Sequence, residues 1–221
     1  IKFNKQLFLD KTLADYLPEL EERIANSDKI TLRLMVQHRS GIPNFTDTPG
    51  YWEDISRGNR ETLDLVLDKP ADFEPDKKYS YSNTNYLLLG MILKAATDKD
   101  VSVLLKENIF EPLGMMNTCL PMEDPLPANR VHSWEDTNND GKLDDMSRDA
   151  QNPMWSMIRT CSAIFSDTFD MNTFLNGLFD GSLISEQSLT QMKSLISPDI
   201  NYGHGLEKYV SSGEEGWGHF G

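Results

Sequence analysis

The chain has 221 residues, of which 25% are charged and 10% are aromatic, and its formal net charge at pH 7 is -14. This length is enough to bury one substantial hydrophobic core, and the composition is ordinary for a globular protein. The acidic balance and the lack of a basic stripe argue against nucleic acid as a partner, and no apolar run reaches the roughly 18 residues needed to cross a membrane.

The sequence pattern predicts a mainly helical chain. Helices are predicted near residues 32–38, 61–67, 85–97 and 102–109, after Ser166, and over residues 185–195. Thr31 is suited to cap the first of them. Gly41 and Pro43 then stop it, because glycine tolerates the left-handed cap and proline cannot continue a helix.

The longest helical pattern, residues 85–97, follows a polar stretch of the sequence. Asn83 or Thr84 can supply its N-cap. Its predicted buried stripe consists of Tyr86, Leu89, Leu93 and Ala96, widened by Leu88 and Ile92. Tyr81 is therefore expected just before the N-terminus of a buried helix.

The last part of the chain has a different character. Residues 202–210 and 217–221 have the composition of two strands, and the glycine- and serine-containing residues 211–216 between them predict a turn. A β-hairpin is therefore expected at the end of a chain that is otherwise helical.

Tyr81 and Asn83 are the first candidates for chemistry. A tyrosine just before a helix, followed two residues later by an amide, can project both groups into one cavity. A phenol has an ordinary pKa near 10, so it acts as a base only if a nearby cation stabilises the phenolate. With such a partner, the tyrosine could take a proton from a serine hydroxyl and return it to a leaving group. On spacing alone, a buried tyrosine before a capped helix is the commoner explanation.

Five segments, taken in order, carry a resemblance to a known family. They are Ile30 to Pro43, Tyr79 to Gly90, Ile109 to Thr118, Ser162 to Ser166, and Gly218 to Gly221. Together they resemble the serine β-lactamase and penicillin-binding-protein-like family, in its class C and D-alanyl-D-alanine carboxypeptidase branch. Tyr81-Ser82-Asn83 is similar to the family's second motif, and His219-Phe220-Gly221 to its third, His-x-Gly motif. Coincidence at one motif is common, but at five ordered places it is a poor explanation.

The resemblance implies an α/β (α+β) fold of the β-lactamase/transpeptidase type, with a helical subdomain and part of an antiparallel sheet. Residues 1–221 would form a single incomplete domain. Residues 1–200 would be its mostly helical region, and residues 201–221 would start the C-terminal sheet.

The resemblance also assigns roles to individual residues. The family's nucleophile is a serine followed three residues later by lysine, and no serine of this sequence has lysine at that offset. That motif is expected upstream of Ile1, so the chain as printed is not expected to form an acyl-enzyme. Tyr81 would be the general base and Asn83 the orienting amide. His219 and Gly221 would align the substrate on an edge strand, with Ser82 beside them.

The third motif bears on the type of hydrolase. His219 stands where true β-lactamases commonly have lysine, and a neutral imidazole attracts a substrate carboxylate less than an ammonium group does. The resemblance therefore favours a D-alanyl-D-alanine carboxypeptidase-like peptidase or an esterase over an efficient β-lactamase. It implies a small-molecule or peptide substrate, no metal or other cofactor, and a place outside the cytoplasm. A non-catalytic binding or sensor domain of the same fold, or an inactive excised fragment, is the alternative, and oligomeric state stays open.

Asp136, Asn138 and Asp140 resemble the first ligands of a calcium loop, with Gly141 at the sixth position. The twelfth position, however, is Ser147, where a bidentate glutamate is expected. The competing interpretation is a hairpin turn through Asn-Asp-Gly, between strands at residues 131–134 and from residue 143 onward. The hairpin is favoured, because the missing ligand would weaken any calcium site.

Overall fold

The structure is a computed structural model that describes residues 7–51, 59–120, 130–136, 138–145, 160–162 and 164–220. The α-helices of these segments are α1 (Leu13–Tyr16), α2 (Leu32–Val36), α3 (Asn59–Asp64), α4 (Asn83–Thr97), α5 (Val101–Leu105), α6 (Glu111–Leu113), α7 (Thr168–Phe179) and α8 (Glu186–Met192). Short 3-10 turns occupy Pro18–Leu20 and Phe45–Asp47, and a π-helical turn at Lys106–Phe110 joins α5 to α6. The strands form two antiparallel hairpins, β1 (Trp134–Glu135) with β2 (Asp144–Asp145), and β3 (Glu207–Ser211) with β4 (Glu214–Gly218). The predicted combination of a helical region with pieces of antiparallel sheet is confirmed.

The first two helices are capped by threonines. The Thr12 hydroxyl accepts from the Asp15 amide and the Asp15 carboxylate accepts from the Thr12 amide, which forms a capping box at α1. Thr31, the predicted cap of α2, accepts from the Leu34 amide. After α2 the chain turns at Gly41 with φ of +78°, where an added Cβ would lie 2.0 Å from the Phe73 carbonyl oxygen. Only glycine fits that approach, so the turn that the sequence predicts has a steric cause.

Helix α4 runs through the centre of the main core. Its side chains pack with α1, α2 and the turn at Phe45–Asp47. The core cluster consists of Leu13, Leu17, Leu20, Ile24, Ile30, Leu32, Met35, Ile42, Phe45, Tyr51, Leu63, Val66, Leu67, Leu87, Leu88 and Ile92. This core holds the N-terminal turn of α4, and therefore the Tyr81 region, against the turn after α2.

The predicted buried face of α4 is only partly right. The buried residues of the helix are Thr84, Asn85, Leu87, Leu88, Gly90, Ile92 and Ala96. Tyr86, Leu89 and Leu93, which the apolar pattern placed at the centre of the stripe, are only half-buried. The pattern failed because the first turn of the helix buries polar residues. The Thr84 hydroxyl, for example, donates to the Pro43 carbonyl at 2.7 Å and accepts from the Phe45 amide at 3.1 Å.

Several helix ends differ from the predictions by one to four residues. α4 begins at Asn83 with Ser82 at its N-cap position, whereas Asn83 or Thr84 was expected. The predicted cap of α7 was Ser166, but Asp167 caps it by accepting from the Asp170 amide. Ser185, predicted as the first residue of the last helix, is the N-cap of α8, whose helix ends at Met192, before the predicted end at residue 195.

The two hairpins are tighter or shorter than expected. β3 and β4 are joined through Ser212 and Gly213, both with positive φ (53° and 83°), so the predicted six-residue turn is a two-residue turn. β1 pairs with β2 around the Asn-Asp-Gly loop, which confirms a hairpin there. Within the described parts of the chain, the longest apolar helix falls short of what a bilayer crossing needs.

Candidate active site

Tyr81 lies at the surface in the segment that leads into α4. The backbone amides on either side of it bind His38: Ser80 N donates to the His38 carbonyl at 3.0 Å, and Ser82 N donates to His38 Nδ1 at 3.1 Å. The phenol ring stacks on the imidazole, with the ring centroids 4.1 Å apart and an interplanar angle of 28°. Tyr81 is still 39% exposed. The chain therefore fixes the ring direction of this tyrosine and leaves part of its side chain accessible.

His38 is the buried centre of this arrangement. It is fully buried, and its ring also packs against Tyr79, Tyr86 and Tyr202. Burial, with a smaller contribution from His219, lowers the pKa of His38 from 6.5 to about 4. The ring is therefore neutral near pH 7. The sequence analysis passed over this residue, although its polar setting in His38-Arg39-Ser40-Gly41 was a usable signal.

Polar side chains behind His38 hold its ring in place. The Ser40 hydroxyl accepts from the Ile42 amide at 3.1 Å and donates to Asn85 Oδ1 at 2.6 Å. The Asn85 amide nitrogen is thereby directed at His38 Nδ1, at 3.4 Å. Ser40 and Asn85 are both almost fully buried. Buried polar groups that are satisfied in this way make the geometry rigid.

Asn83 and Ser82 have different surroundings. The backbone amide of Asn83 donates to Asn44 Oδ1 at 3.0 Å, and its side-chain amide contacts the same oxygen at 3.4 Å. Asn83 is half-buried in the first turn of α4, on the same segment as Tyr81. Ser82 is only 3% exposed, and its hydroxyl donates to the Pro43 carbonyl at 3.3 Å. The structure therefore places the Ser82 side chain behind the tyrosine, away from the surface where the sequence analysis expected a substrate contact.

His219 comes from the other end of the chain to the same place. It follows β4, and its ring centroid is 6.0 Å from that of Tyr81. Its Nδ1 lies 2.5 Å from the Phe220 carbonyl oxygen, and its Nε2 lies 3.4 Å from the hydroxyl of Tyr202. The structure thus brings the rings of Tyr81 and His219, from the two predicted motifs, close together. The Asn83 side chain contacts Asn44, and Gly221 lies outside the described residues.

The electrostatic setting keeps Tyr81 protonated. Burial first, and then Cys161 and Glu207, raise its pKa above that of an exposed phenol. Burial likewise raises the pKa of Tyr79 and that of Tyr86 to about 12. A phenol in this state donates a hydrogen bond, and it becomes a base only when a cation is placed against it.

The acidic loop between β1 and β2 satisfies its own backbone. The Asp136 carboxylate accepts from the Asp140 and Gly141 amides, at 3.0 and 2.9 Å. Asn138 Oδ1 accepts from the Asp140 amide at 2.9 Å, and Asp140 Oδ1 from the Lys142 amide at 2.8 Å. Across the segments that the structure describes, no three His, Cys, Asp or Glu side chains gather closely enough to hold a metal ion. The hairpin explains these residues, and the calcium interpretation gains no support.

A helical region with a hairpin, and a Tyr-Ser-Asn segment facing a histidine after the last strand, define a class of serine hydrolases. The sequence model of the Beta-lactamase family matches residues 4–221, and the chain belongs to this family. Members of the family are hydrolytic serine enzymes. The β-lactamase/transpeptidase-like fold that the sequence predicts is confirmed.

Two solved structures of hydrolases are similar to this chain. The chain is similar to a D-stereospecific amidohydrolase from a Streptomyces species, with 28% identity, a TM-score of 0.83, and coverage of 96% of this chain and 67% of that one. It is also similar to the D-amino acid amidase of Ochrobactrum anthropi SV3, with 29% identity, a TM-score of 0.78, and coverage of 97% and 62%.

A third similar protein is a candidate D-alanyl-D-alanine carboxypeptidase of Salmonella paratyphi A. It is 20% identical over 231 residues, which cover 92% of this chain and 53% of that protein. The chain thus spans about half the length of the curated relatives that it matches.

Proposed function

We propose that the complete protein is a serine hydrolase that cleaves an amide, peptide or ester bond next to a D-amino acid through an acyl-enzyme. The observation that carries this proposal is the half-exposed Tyr81, held face to face on His38 at the start of α4, with His219 only 6.0 Å away. D-alanyl-D-alanine carboxypeptidase activity and D-amino acid amidase activity both fall within this class, and they are the activities that the names of similar proteins state.

In the proposed mechanism Tyr81 transfers the proton. As a phenolate stabilised by a cation, its oxygen takes the proton of the nucleophilic serine while the serine oxygen forms a bond to the carbonyl carbon. The same hydrogen then passes to the leaving nitrogen or oxygen as the scissile bond breaks. Asn83 would orient the cation and the substrate through its side-chain amide. Since the surroundings of Tyr81 raise its pKa, the mechanism requires a lysine ammonium beside the phenol.

The serine and the lysine are proposed to come from a part of the protein beyond the 221 residues. No serine of the printed sequence has lysine three positions later. His219 and Gly221 would then form the wall along which the substrate lies, and the protein would work outside the cytoplasm on a cell-wall peptide or a related small molecule. His219 stands where β-lactamases commonly have lysine, and a neutral imidazole attracts a substrate carboxylate less than an ammonium group does. Efficient β-lactamase activity is therefore the less favoured possibility.

Hydrolysis of D- and L-phenylalanine amide by the full-length protein tests this proposal. We expect turnover of the D-amide with a clear preference over the L-amide, and a loss of about 10²- to 10⁴-fold in kcat for Tyr81→Phe, the usual contribution of a general base. Tyr16→Phe removes a phenol hydroxyl that accepts from the Phe8 amide, and it serves as the matched control.

An alternative function has a specific observation in its favour. The raised pKa of Tyr81 favours a phenol that donates a hydrogen bond to a bound molecule over one that acts as a base. If the full-length protein bound D-phenylalanine amide without hydrolysing it, and Tyr81→Phe changed only the affinity, a non-catalytic binding or sensor domain would replace the hydrolase.

A further inference from the structure

The hydrogen-bond directions around His38 are fixed by its partners. A backbone amide can only donate, so the Ser82 amide at 3.1 Å makes His38 Nδ1 an acceptor. The Asn85 side-chain nitrogen contacts the same atom, and the Ser40 hydroxyl occupies the Asn85 oxygen. The single hydrogen of a neutral His38 ring therefore lies on Nε2. That atom is 3.1 Å from the hydroxyl oxygen of Tyr202.

The directions around His219 are fixed independently. A carbonyl oxygen can only accept, so the contact of Nδ1 with the Phe220 carbonyl places a hydrogen on Nδ1. In a neutral ring Nε2 is then an acceptor, and it lies 3.4 Å from the Tyr202 hydroxyl. His38 and His219 thus need opposite tautomers, and one hydroxyl lies between them.

The Tyr202 hydroxyl can serve both rings at once. It accepts from His38 Nε2 and donates its own hydrogen to His219 Nε2, so each polar atom of the chain Ser82–His38–Tyr202–His219 has the partner it needs. Tyr202 is only 2% exposed, and its ring packs edge-on against both imidazoles, at 5.1 and 5.9 Å.

We propose that Tyr202 is a positioning residue that fixes the His219 ring at the substrate wall with neither ring nitrogen free to donate to a substrate carboxylate, and that this selects substrates whose group at that wall is uncharged. The site then favours an amide or an ester over a peptide with a free carboxylate. The substrate part of this inference rests on the proposed hydrolase function. The hydrogen-bond chain itself does not.

Nuclear magnetic resonance of the histidine ring nitrogens in the full-length protein tests the chain directly. We expect hydrogen on Nε2 of His38 and on Nδ1 of His219. In Tyr202→Phe, the nitrogen resonance of His219 Nε2 should move toward that of an unbonded imine. Tyr16→Phe is the matched control, because it removes a phenol hydroxyl that accepts from the Phe8 amide in the N-terminal part of the chain.

Two results would overturn the hydrogen-bond chain. One is hydrogen on Nε2 of His219 in the unchanged protein. The other is a His219 Nε2 resonance that Tyr202→Phe leaves in place, which would mean that Tyr202 directs its hydrogen to the neighbouring Tyr86 oxygen instead.

The substrate preference has its own measurement. In Tyr202→Phe we expect kcat on D-phenylalanine amide to fall on the order of 10- to 100-fold, because the His219 ring is no longer held in place beside the substrate. The loss on D-alanyl-D-alanine should be smaller. Equal losses of kcat on both substrates would mean that Tyr202 only packs against its neighbours and does not select the substrate. If the unchanged protein hydrolysed neither substrate, the proposed function would fail, while the resonance measurement would still decide the hydrogen-bond chain.

Discussion

At the scale of single residues, His38 is a buried base without a charge. Its ring lies in the core, carries stacked tyrosines on its faces and accepts hydrogen bonds at Nδ1. Protonation would put a second donor where Ser82 and Asn85 already donate. Burial is the main cause of the low pKa of His38, and the donors at Nδ1 likewise favour the neutral ring.

Acid should destabilise the protein through this residue. Between the lowered pKa of about 4 and the ordinary value of 6.5, the unfolded state binds more protons at His38 than the folded state does, so the free energy of unfolding falls as pH falls. The full effect of that shift from 6.5 to about 4 is about 3 kcal/mol. Urea unfolding between pH 7 and pH 4 measures it.

His38→Asn is the control for this pH dependence. Residue 38 has φ of 54°, and asparagine tolerates that left-handed conformation better than most residues do. The variant should lose the part of the pH dependence that comes from the imidazole. An unchanged slope in His38→Asn would assign the acid sensitivity to other groups.

The sequence predicted only part of the site. Tyr81, Asn83 and His219 were singled out because they belong to short motifs, and the structure brings the rings of Tyr81 and His219 close together. The hydrogen bond between His38 and Tyr202 was missed, because it joins positions 164 residues apart and nothing in the segment around His38 points to its partner. Ser82 was assigned to the substrate from its place in the motif, but its direction depends on the Pro43 carbonyl, which no local pattern reveals.

At the scale of elements, α4 shows what an apolar pattern can and cannot establish. The pattern located the helix and its C-terminal end at Thr97. It missed the start, because the first turn buries Thr84 and Asn85, whose partners lie near residues 40–45. A hydrophobicity pattern cannot distinguish buried polar residues from exposed ones. The start of α4 is therefore set by long-range hydrogen bonds that the pattern does not detect.

Gly90 in α4 is expected to resist replacement. Glycine to alanine normally favours a helix by about 1 kcal/mol. Here an added Cβ would lie 2.1 Å from Thr160 Cγ2 and 2.7 Å from Thr160 Cβ. We expect Gly90→Ala to lower the free energy of unfolding by about 1–3 kcal/mol, the usual cost of overpacking. Chemical denaturation measures this loss.

Gly177 in α7 provides the comparison. Its Cβ would meet the Leu113 Cδ2 atom at 2.8 Å, which is the end of a side chain that can move. Gly177→Ala should therefore stay within about 1 kcal/mol of the unchanged protein. Equal losses of stability in Gly90→Ala and Gly177→Ala would contradict the explanation that contact with Thr160 makes the change at Gly90 costly.

At the scale of the whole molecule, family and fold were accessible from the sequence because five motifs occur in order along it. The family match over residues 4–221 confirms that interpretation. The division into a helical region and a starting sheet, and the absence of a nucleophile from the 221 residues, depend on the rest of the protein. They stay predictions.

Covalent labelling of the full-length protein with a fluorophosphonate, followed by peptide mapping, tests the central claim most directly. We predict one labelled serine, followed three residues later by lysine, on a peptide outside the 221 residues. The 221-residue polypeptide alone should stay unlabelled. A label on any serine within residues 1–221, or an unlabelled full-length protein, would contradict an acyl-enzyme mechanism built around Tyr81.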